Sequence, residues 1–359
     1  MVSRVNDEKK RLPISMKYFS IPTNSLVRQL LISGVAIVVI AVMLIIALYY
    51  YINAPLTNIQ APARFEIAAG SSLSRVSQDL SEAGYINYPQ VFNLWAKLTG
   101  VEEAIKTGEY ELRAGLSKRQ LLDKLVIGDT LQYKLTLVEG WSFSQALNAI
   151  WSSEKVVANL KVTPLSEVSS LLGHSSDNPE GLLFPDTYFY TAGTTDLELL
   201  QRANARLSAI LNTSWESRLG ALPYEDSYQA LTMASIIEKE SAIGSERGHI
   251  AGVFVRRLEY GMRLQSDPTV IYGMGNNYNG NIRRQDLLMD TAYNTYRIDG
   301  LPPTPIAMAG LDSIHAALNP LPGEYLYFVA TGDGSHYFST TLAEHNDAVR
   351  RFQTQGTVR

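Results

Sequence analysis

Between Arg28 and Arg64 the chain carries no charged residue, and from Leu30 to Ile52 it is almost wholly apolar. A helix needs roughly 20 such residues to cross a hydrocarbon core. Tyr49, Tyr50 and Tyr51 close the run, as amphipathic rings do at a membrane interface. The buried helix of a soluble core rarely runs so long without a charge. A cleaved signal peptide fits less well too, because the run is too long, begins late and lacks an Ala-x-Ala-type cleavage site. The expectation is a transmembrane helix over 30–52. Arg4, Lys9, Lys10, Arg11, Lys17 and Arg28 precede it, against Asp7 and Glu8 alone. The positive-inside rule therefore puts a tail, 1–29, in the cytoplasm and everything after about residue 53 outside, in the envelope.

The rest of the 359 residues has room for about two domains. A formal net charge of −4 argues against a nucleic-acid binder, and the absence of cysteine excludes disulfides, thiolate zinc sites and thiol catalysis. Residues 53–63 read as an uncharged linker. A strand-like piece followed by a Gly-x-Ser turn and an amphipathic helix then occurs three times, at Gly70-Ser71-Ser72, Gly115-Leu116-Ser117 and Gly140-Trp141-Ser142. In each the serine can cap the helix that follows. The pattern resembles the LysM type of peptidoglycan-binding fold, so 64–160 is expected to be a small LysM-like α+β module. It serves either as a spacer or as a glycan binder, with Tyr85, Tyr88 and Trp95 as candidate stacking aromatics. Residues 161–359 form the second domain.

A helix is expected over Asp226–Ala242. Its large apolar residues are Leu231, Met233, Ile236 and Ile237, and Glu240 follows Ile237, Ile236 and Met233 at spacings of three, four and seven, on the same face. Glu238 sits above Ala234 and Ser235, and it and Lys239 are expected to reach water. A carboxyl buried among apolar groups stays protonated near neutral pH, the state a general acid requires. Periodicity alone leaves a structural glutamate paired with Arg or Lys equally open. Downstream, Gln265–Gly273, Tyr278–Gly280 and Tyr293–Tyr296 combine amides, hydroxyls and tyrosine faces, the groups that bind sugars. Asn, Gly and Pro in the same segments read as turns.

Met233–Ala242 with Ser245-Glu246-Arg247, Gly261–Gly273, Ala292–Tyr296, Gly300–Pro303 and Leu326–Ala330 together resemble the MltG (YceG-like) family of endolytic murein transglycosylases. The resemblance runs from the apolar segment to His345-Asn346. It implies an α+β protein with an N-terminal transmembrane helix, the LysM-like module and a mixed α/β catalytic domain, 161–359, distantly lysozyme-like. It also implies the role of Glu240, which falls on the catalytic acid of the family. Ser241, Gln265, Asp267, Tyr293, Asn294 and Tyr296 are then candidate substrate-binding residues. No cofactor or metal is implied. The reaction implied is non-hydrolytic cleavage of the MurNAc-β-1,4-GlcNAc bond within a strand, ending in 1,6-anhydro-MurNAc. Such an enzyme is expected to work beside the peptidoglycan polymerases (penicillin-binding proteins). Two rivals remain: a two-carboxylate muramidase using Asp267, or more weakly Glu246 or Asp286, and a non-catalytic wall anchor.

Near the C-terminus, Tyr325–Thr331 and His336–Ser339 are expected to form a hairpin, and Thr341 and Glu344 a capping box. Scattered histidines and the lack of a Gly-x-Ser-x-Gly elbow disfavour zinc-peptidase and serine-hydrolase chemistry.

Overall fold

The computed structural model describes residues 25–68 and 70–354. The basic residues 4–17 that set the expected orientation lie outside the described residues. The apolar run forms helix α1 (Ser25–Asn53), whose 29 residues include none that is buried. At about 1.5 Å per residue it is long enough to span a bilayer. It is the one helix among the described residues with the length and composition to do so.

In chain order follow β1 (Ala63–Ile67), α2 (Leu73–Glu82), α3 (Pro89–Leu98), β2 (Gly108–Leu112), α4 (Lys118–Ile127), β3 (Tyr133–Thr136) and α5 (Phe143–Ser152). Next come α6 (Leu165–Leu171), β4 (Thr187–Tyr190), α7 (Asp196–Glu216), α8 (Ser227–Glu240), α9 (Gly244–Glu259) and α10 (Asp267–Met274). The last are α11 (Leu311–Leu318), β5 (Tyr327–Ala330), β6 (His336–Ser339) and α12 (Leu342–Val349). The strands pair only two at a time, as β1–β2, β3–β4 and β5–β6.

The three expected serine caps are present. Ser72 accepts from the Arg75 N–H, while Ser117 with Gln120 and Ser142 with Gln145 exchange reciprocal hydrogen bonds. Each fixes a helix start by satisfying donors that the helix itself leaves unpaired. Of the candidate stacking aromatics, Trp95 is buried against Phe92, Tyr85 is half-buried, and Tyr88 is exposed.

The chain divides into two compact units. The smaller comprises the chain up to Ala63 with Ser72–Ile105 and Leu112–Ile127; the larger comprises Arg64–Ser71, Lys106–Glu111 and the chain from Gly128 onward. The boundary expected near 160 therefore falls inside the larger unit, and the third strand–turn–helix belongs there. The reason is its partner: β3 pairs antiparallel with β4, Leu135 opposite Tyr188. Leu135, Leu137, Phe143 and Ile150 share one core with Leu183, Tyr188, Leu199, Leu200 and Met308.

A second core of the larger unit surrounds α8, in which every residue from Ala230 to Ile237 is buried. The helix is enclosed on all sides, which is how a central helix differs from a surface one with a single apolar stripe. Gly181 locks the approach of the two cores. Its φ is +75°, and a Cβ there would stand 2.3 Å from the Pro305 Cβ. Gly181→Ala should destabilise the protein by about 2 kcal/mol or more, through strain and overlap together, as measured by urea unfolding.

Candidate active site

Asp226 caps α8 by accepting from the Gln229 N–H at 2.8 Å, and the helix ends at Glu240. The two glutamates of its last turn meet different surroundings. Glu238 does not reach water, contrary to expectation: its side chain is 5% exposed and accepts from the Arg247 Nη2 at 2.9 Å and the Gly310 N–H at 3.0 Å. Of the pair expected to be solvated only Lys239 is, and it donates to the Gly140 carbonyl. Among the described residues Glu240 has no salt-bridge partner, and it accepts a short hydrogen bond from the Ser266 hydroxyl.

Burial pushes the Glu240 carboxyl up to about 7. The Ser266 hydrogen bond and the Arg257 cation oppose the rise, while the negative charge of Asp267 adds to it. Desolvation wins because no cation touches the carboxyl. At neutral pH about half of it is protonated.

Glu240 lines a cavity of about 400 Å³ with Arg257, Gln265, Asp267, Tyr296, His336 and His345, among apolar walls that include Leu264 and Phe328. Convergent polar groups on apolar walls suit a sugar ligand. Burial also lifts Glu180 to about 7, but Glu180 accepts from the Phe143 and Gly181 N–H groups and does not border this cavity. A raised carboxyl alone does not mark the acid. The cavity does.

Segments 265–273 and 292–296 are held together by hydroxyls. The Ser266 N–H donates to Thr295 Oγ1 at 2.9 Å, and Thr269 Oγ1 lies 2.8 Å from Thr295 Oγ1. Where turns were expected, Asp267–Met274 is a helix, opened by Pro268 in its first turn. Ser266 occupies the cap position but makes no cap bond, its hydroxyl being given to Glu240. Gln265 adopts a left-handed φ of +53°, a strained state for a side chain longer than glycine's, and its N–H is tied to the Thr295 carbonyl. Tyr296 donates to Asp267 Oδ1 at 2.7 Å. Burial and that bond raise the Tyr296 hydroxyl further, so it remains a donor.

Of the expected substrate-binding residues, Gln265, Asp267 and Tyr296 line the cavity. Ser241, Tyr293 and Asn294 do not. Ser241 is buried and accepts from the Ile243 N–H, turning the chain into α9. Tyr293 packs edge-on against Tyr272, its hydroxyl 2.9 Å from Thr304 Oγ1. Asn294 is buried and donates to the Leu287 and Met289 carbonyls, stapling its loop. The two weaker carboxylate candidates are also engaged elsewhere, Glu246 with His336 and Asp286 with the Arg283 N–H.

Sequence reasoning missed Ser266, Arg257 and His336. Ser266 stands inside a motif already singled out, so its place beside Asp267 was a usable signal. Arg257 lies in the last turn of α9 and had none. Its guanidinium donates to the Leu326 and Leu264 carbonyls and stacks 5.1 Å over Tyr327, which itself stacks on His345. The expected hairpin and capping box are both present, and the hairpin brings His336 to the cavity. Among the described residues no group of three or more His, Asp and Glu is arranged to hold a metal ion.

The model of the YceG-like family matches residues 65–351. The chain belongs to that family. It is 33% identical over 303 residues to the endolytic murein transglycosylase of Bacillus subtilis, covering 80% of this chain and 83% of that protein. It is 27% identical over 317 residues to the endolytic murein transglycosylase of Streptococcus pneumoniae, of which the match covers 56%. A crystal structure of a YceG-like protein from Listeria monocytogenes superposes with a TM-score of 0.52 at 32% identity, over 80% of this chain and 98% of that one.

Proposed function

We infer that this YceG-like protein is an endolytic murein transglycosylase, a lyase acting on peptidoglycan, with Glu240 as its single acid and base. The observation that carries the reading is a carboxyl near pKa 7, without a salt bridge among the described residues, on the wall of a polar and apolar cavity. Protonated Glu240 gives its proton to the glycosidic O4 as the MurNAc C1–O4 bond breaks. The C6 hydroxyl of the same MurNAc attacks C1, and its proton passes to the Glu240 carboxylate. The products are a 1,6-anhydro-MurNAc end and a strand with a free GlcNAc O4–H, and the carboxyl is again protonated. Water takes no part.

In the same reading α1 anchors the protein in the cytoplasmic membrane, with 1–29 inside and the cavity in the envelope beside the peptidoglycan polymerases. Support comes from the apolar, unburied α1 and the basic residues before it. The LysM-like character of the first module and the lysozyme-like character of the catalytic part are proposed with it.

Mass spectrometry of glycan strands digested with the purified protein tests the reaction. Anhydro ends are expected. Reducing ends would replace it with the two-carboxylate muramidase, for which Asp267, on the same cavity wall, is the one carboxylate in position.

The pH profile follows from the acid. Because Glu240 must carry its proton, kcat/KM should fall tenfold per unit as pH rises above about 7. The Ser266 hydroxyl stabilises the charged form, so Ser266→Ala should move that limb to higher pH. A limb that stays in place or moves lower would remove Ser266 from the tuning of Glu240.

A further inference from the structure

The cavity holds an oriented imidazole that no step above uses. His336 opens β6 opposite Ala330. Its Nδ1 lies 2.7 Å from Glu246 Oε2, and its backbone N–H donates to Glu246 Oε1 at 3.0 Å. One carboxylate thus grips both the ring and the main chain of a single residue, which fixes the position and rotamer of the ring. Phe328 packs edge-on at 5.4 Å and leaves little room for it to turn. The pair is mostly buried, His336 11% and Glu246 14% exposed at the side chain.

A carboxylate only accepts, so Nδ1 carries the proton toward Glu246. In the neutral ring this leaves Nε2 as an acceptor, and the tautomer is set by the bond on the other nitrogen. His336 lines the cavity that Glu240 lines, whereas Glu246 stands behind it and does not. A pair serving packing alone has no need of a defined tautomer on a cavity wall. Two other polar donors of that wall are engaged within the protein: Arg257 with carbonyls and Tyr296 with Asp267. The charged and titratable neighbours on the wall are Glu240, Asp267, Arg257, Tyr296 and His345.

We propose that His336 touches the substrate, its Nε2 accepting a hydrogen bond from a hydroxyl or acetamido N–H of the glycan, and that Glu246 is the positioning residue that aims it. The proposal rests on the glycan-cleaving reading above, and its test separates the two. His336→Asn keeps a donor near the Nδ1 position but removes Nε2; His336→Gln places an amide near Nε2. Initial rates of anhydro-end formation on purified strands give kcat and KM for each, for Glu246→Gln, and for Glu246→Gln combined with His336→Asn.

His336→Asn should lower kcat/KM about tenfold or more, as expected when a polar group of the ligand is left unmatched, with its thermal midpoint near that of the parent. His336→Gln should retain more activity than Asn. Glu246→Gln should lower kcat/KM in the parent and change nothing further in His336→Asn. Strand binding by the Glu240→Gln protein should weaken when His336→Asn is added. Parental kcat/KM in His336→Asn, Gln no better than Asn, or an equal loss from Glu246→Gln in both backgrounds would overturn the proposal. If the parent yields no anhydro ends, the transglycosylase reading fails instead, and the binding arm still decides on His336.

Discussion

Glu240→Gln should reduce anhydro-end formation by about 10³-fold, within the range of roughly 10² to 10⁴ for loss of a positioned acid. That corresponds to about 4 kcal/mol of barrier. Gln has the size of Glu and a carbonyl able to accept from Ser266, so the cavity keeps its form. What disappears is the proton for the leaving oxygen and the base for the C6 hydroxyl. Unchanged cleavage by pure variant would leave the chain a wall-binding anchor or move the acid elsewhere.

The same substitution has a stability signature of opposite sign. Glu240 titrates near 4.5 when solvated and near 7 in the fold, so the native state holds the proton more tightly. Its contribution is fully present below about pH 4.5 and is lost as pH rises through 7, of order 3 kcal/mol in all. Gln carries no such dependence. Across that window the unfolding free energy of Glu240→Gln should fall less steeply than that of the parent, as urea titrations at pH 5 and pH 8 will measure. Equal slopes would mean that the carboxyl is not desolvated as the geometry requires.

Arg247→Met should destabilise the larger unit by about 3–5 kcal/mol, the usual consequence of removing one partner from a buried ion pair. It leaves Glu238 with the Gly310 N–H as its remaining donor and with Glu139, already raised by burial and by Glu238, as a neighbour. Adding Glu238→Gln should restore most of the loss, because neither member is then an uncompensated charge. Urea unfolding of the two single variants and the double measures the coupling. Full additivity would show that the two side chains do not act as a pair.

These two glutamates show how far a linear reading reaches. The spacing of Glu240 from Met233, Ile236 and Ile237 put it on the face that packs into the core, and it ends that face half-buried on the cavity wall. The same spacing put Glu238 toward water, yet α11 and Arg247 of α9 cover that face. Helical period tells which residues share a face of one helix; it does not tell how many neighbours surround that helix. Ser241, Tyr293 and Asn294 illustrate the same limit within motifs. They stand among the cavity residues in sequence, but Ser241 shapes the turn into α9, Tyr293 bonds Thr304, and Asn294 staples its own loop and accepts from the Tyr296 N–H. The third strand–turn–helix looked like its predecessors because its local pattern is the same. Its place was decided by β4, some 50 residues on, which supplies its partner strand.

The sequence by itself determined the long apolar helix, the caps at Ser72, Ser117, Ser142 and Thr341, the C-terminal hairpin and the position of Glu240 on the apolar face of its helix. All of these depend on residues within a few turns or one hairpin of each other. Only the tertiary structure decided that Glu238 pairs with Arg247 while Glu240, among the described residues, accepts from the Ser266 hydroxyl. That difference leaves Glu238 held in a buried ion pair and Glu240 on the cavity wall with its carboxyl raised by burial. It depends on which distant side chains desolvate and pair with each group, and no spacing along a single helix encodes that.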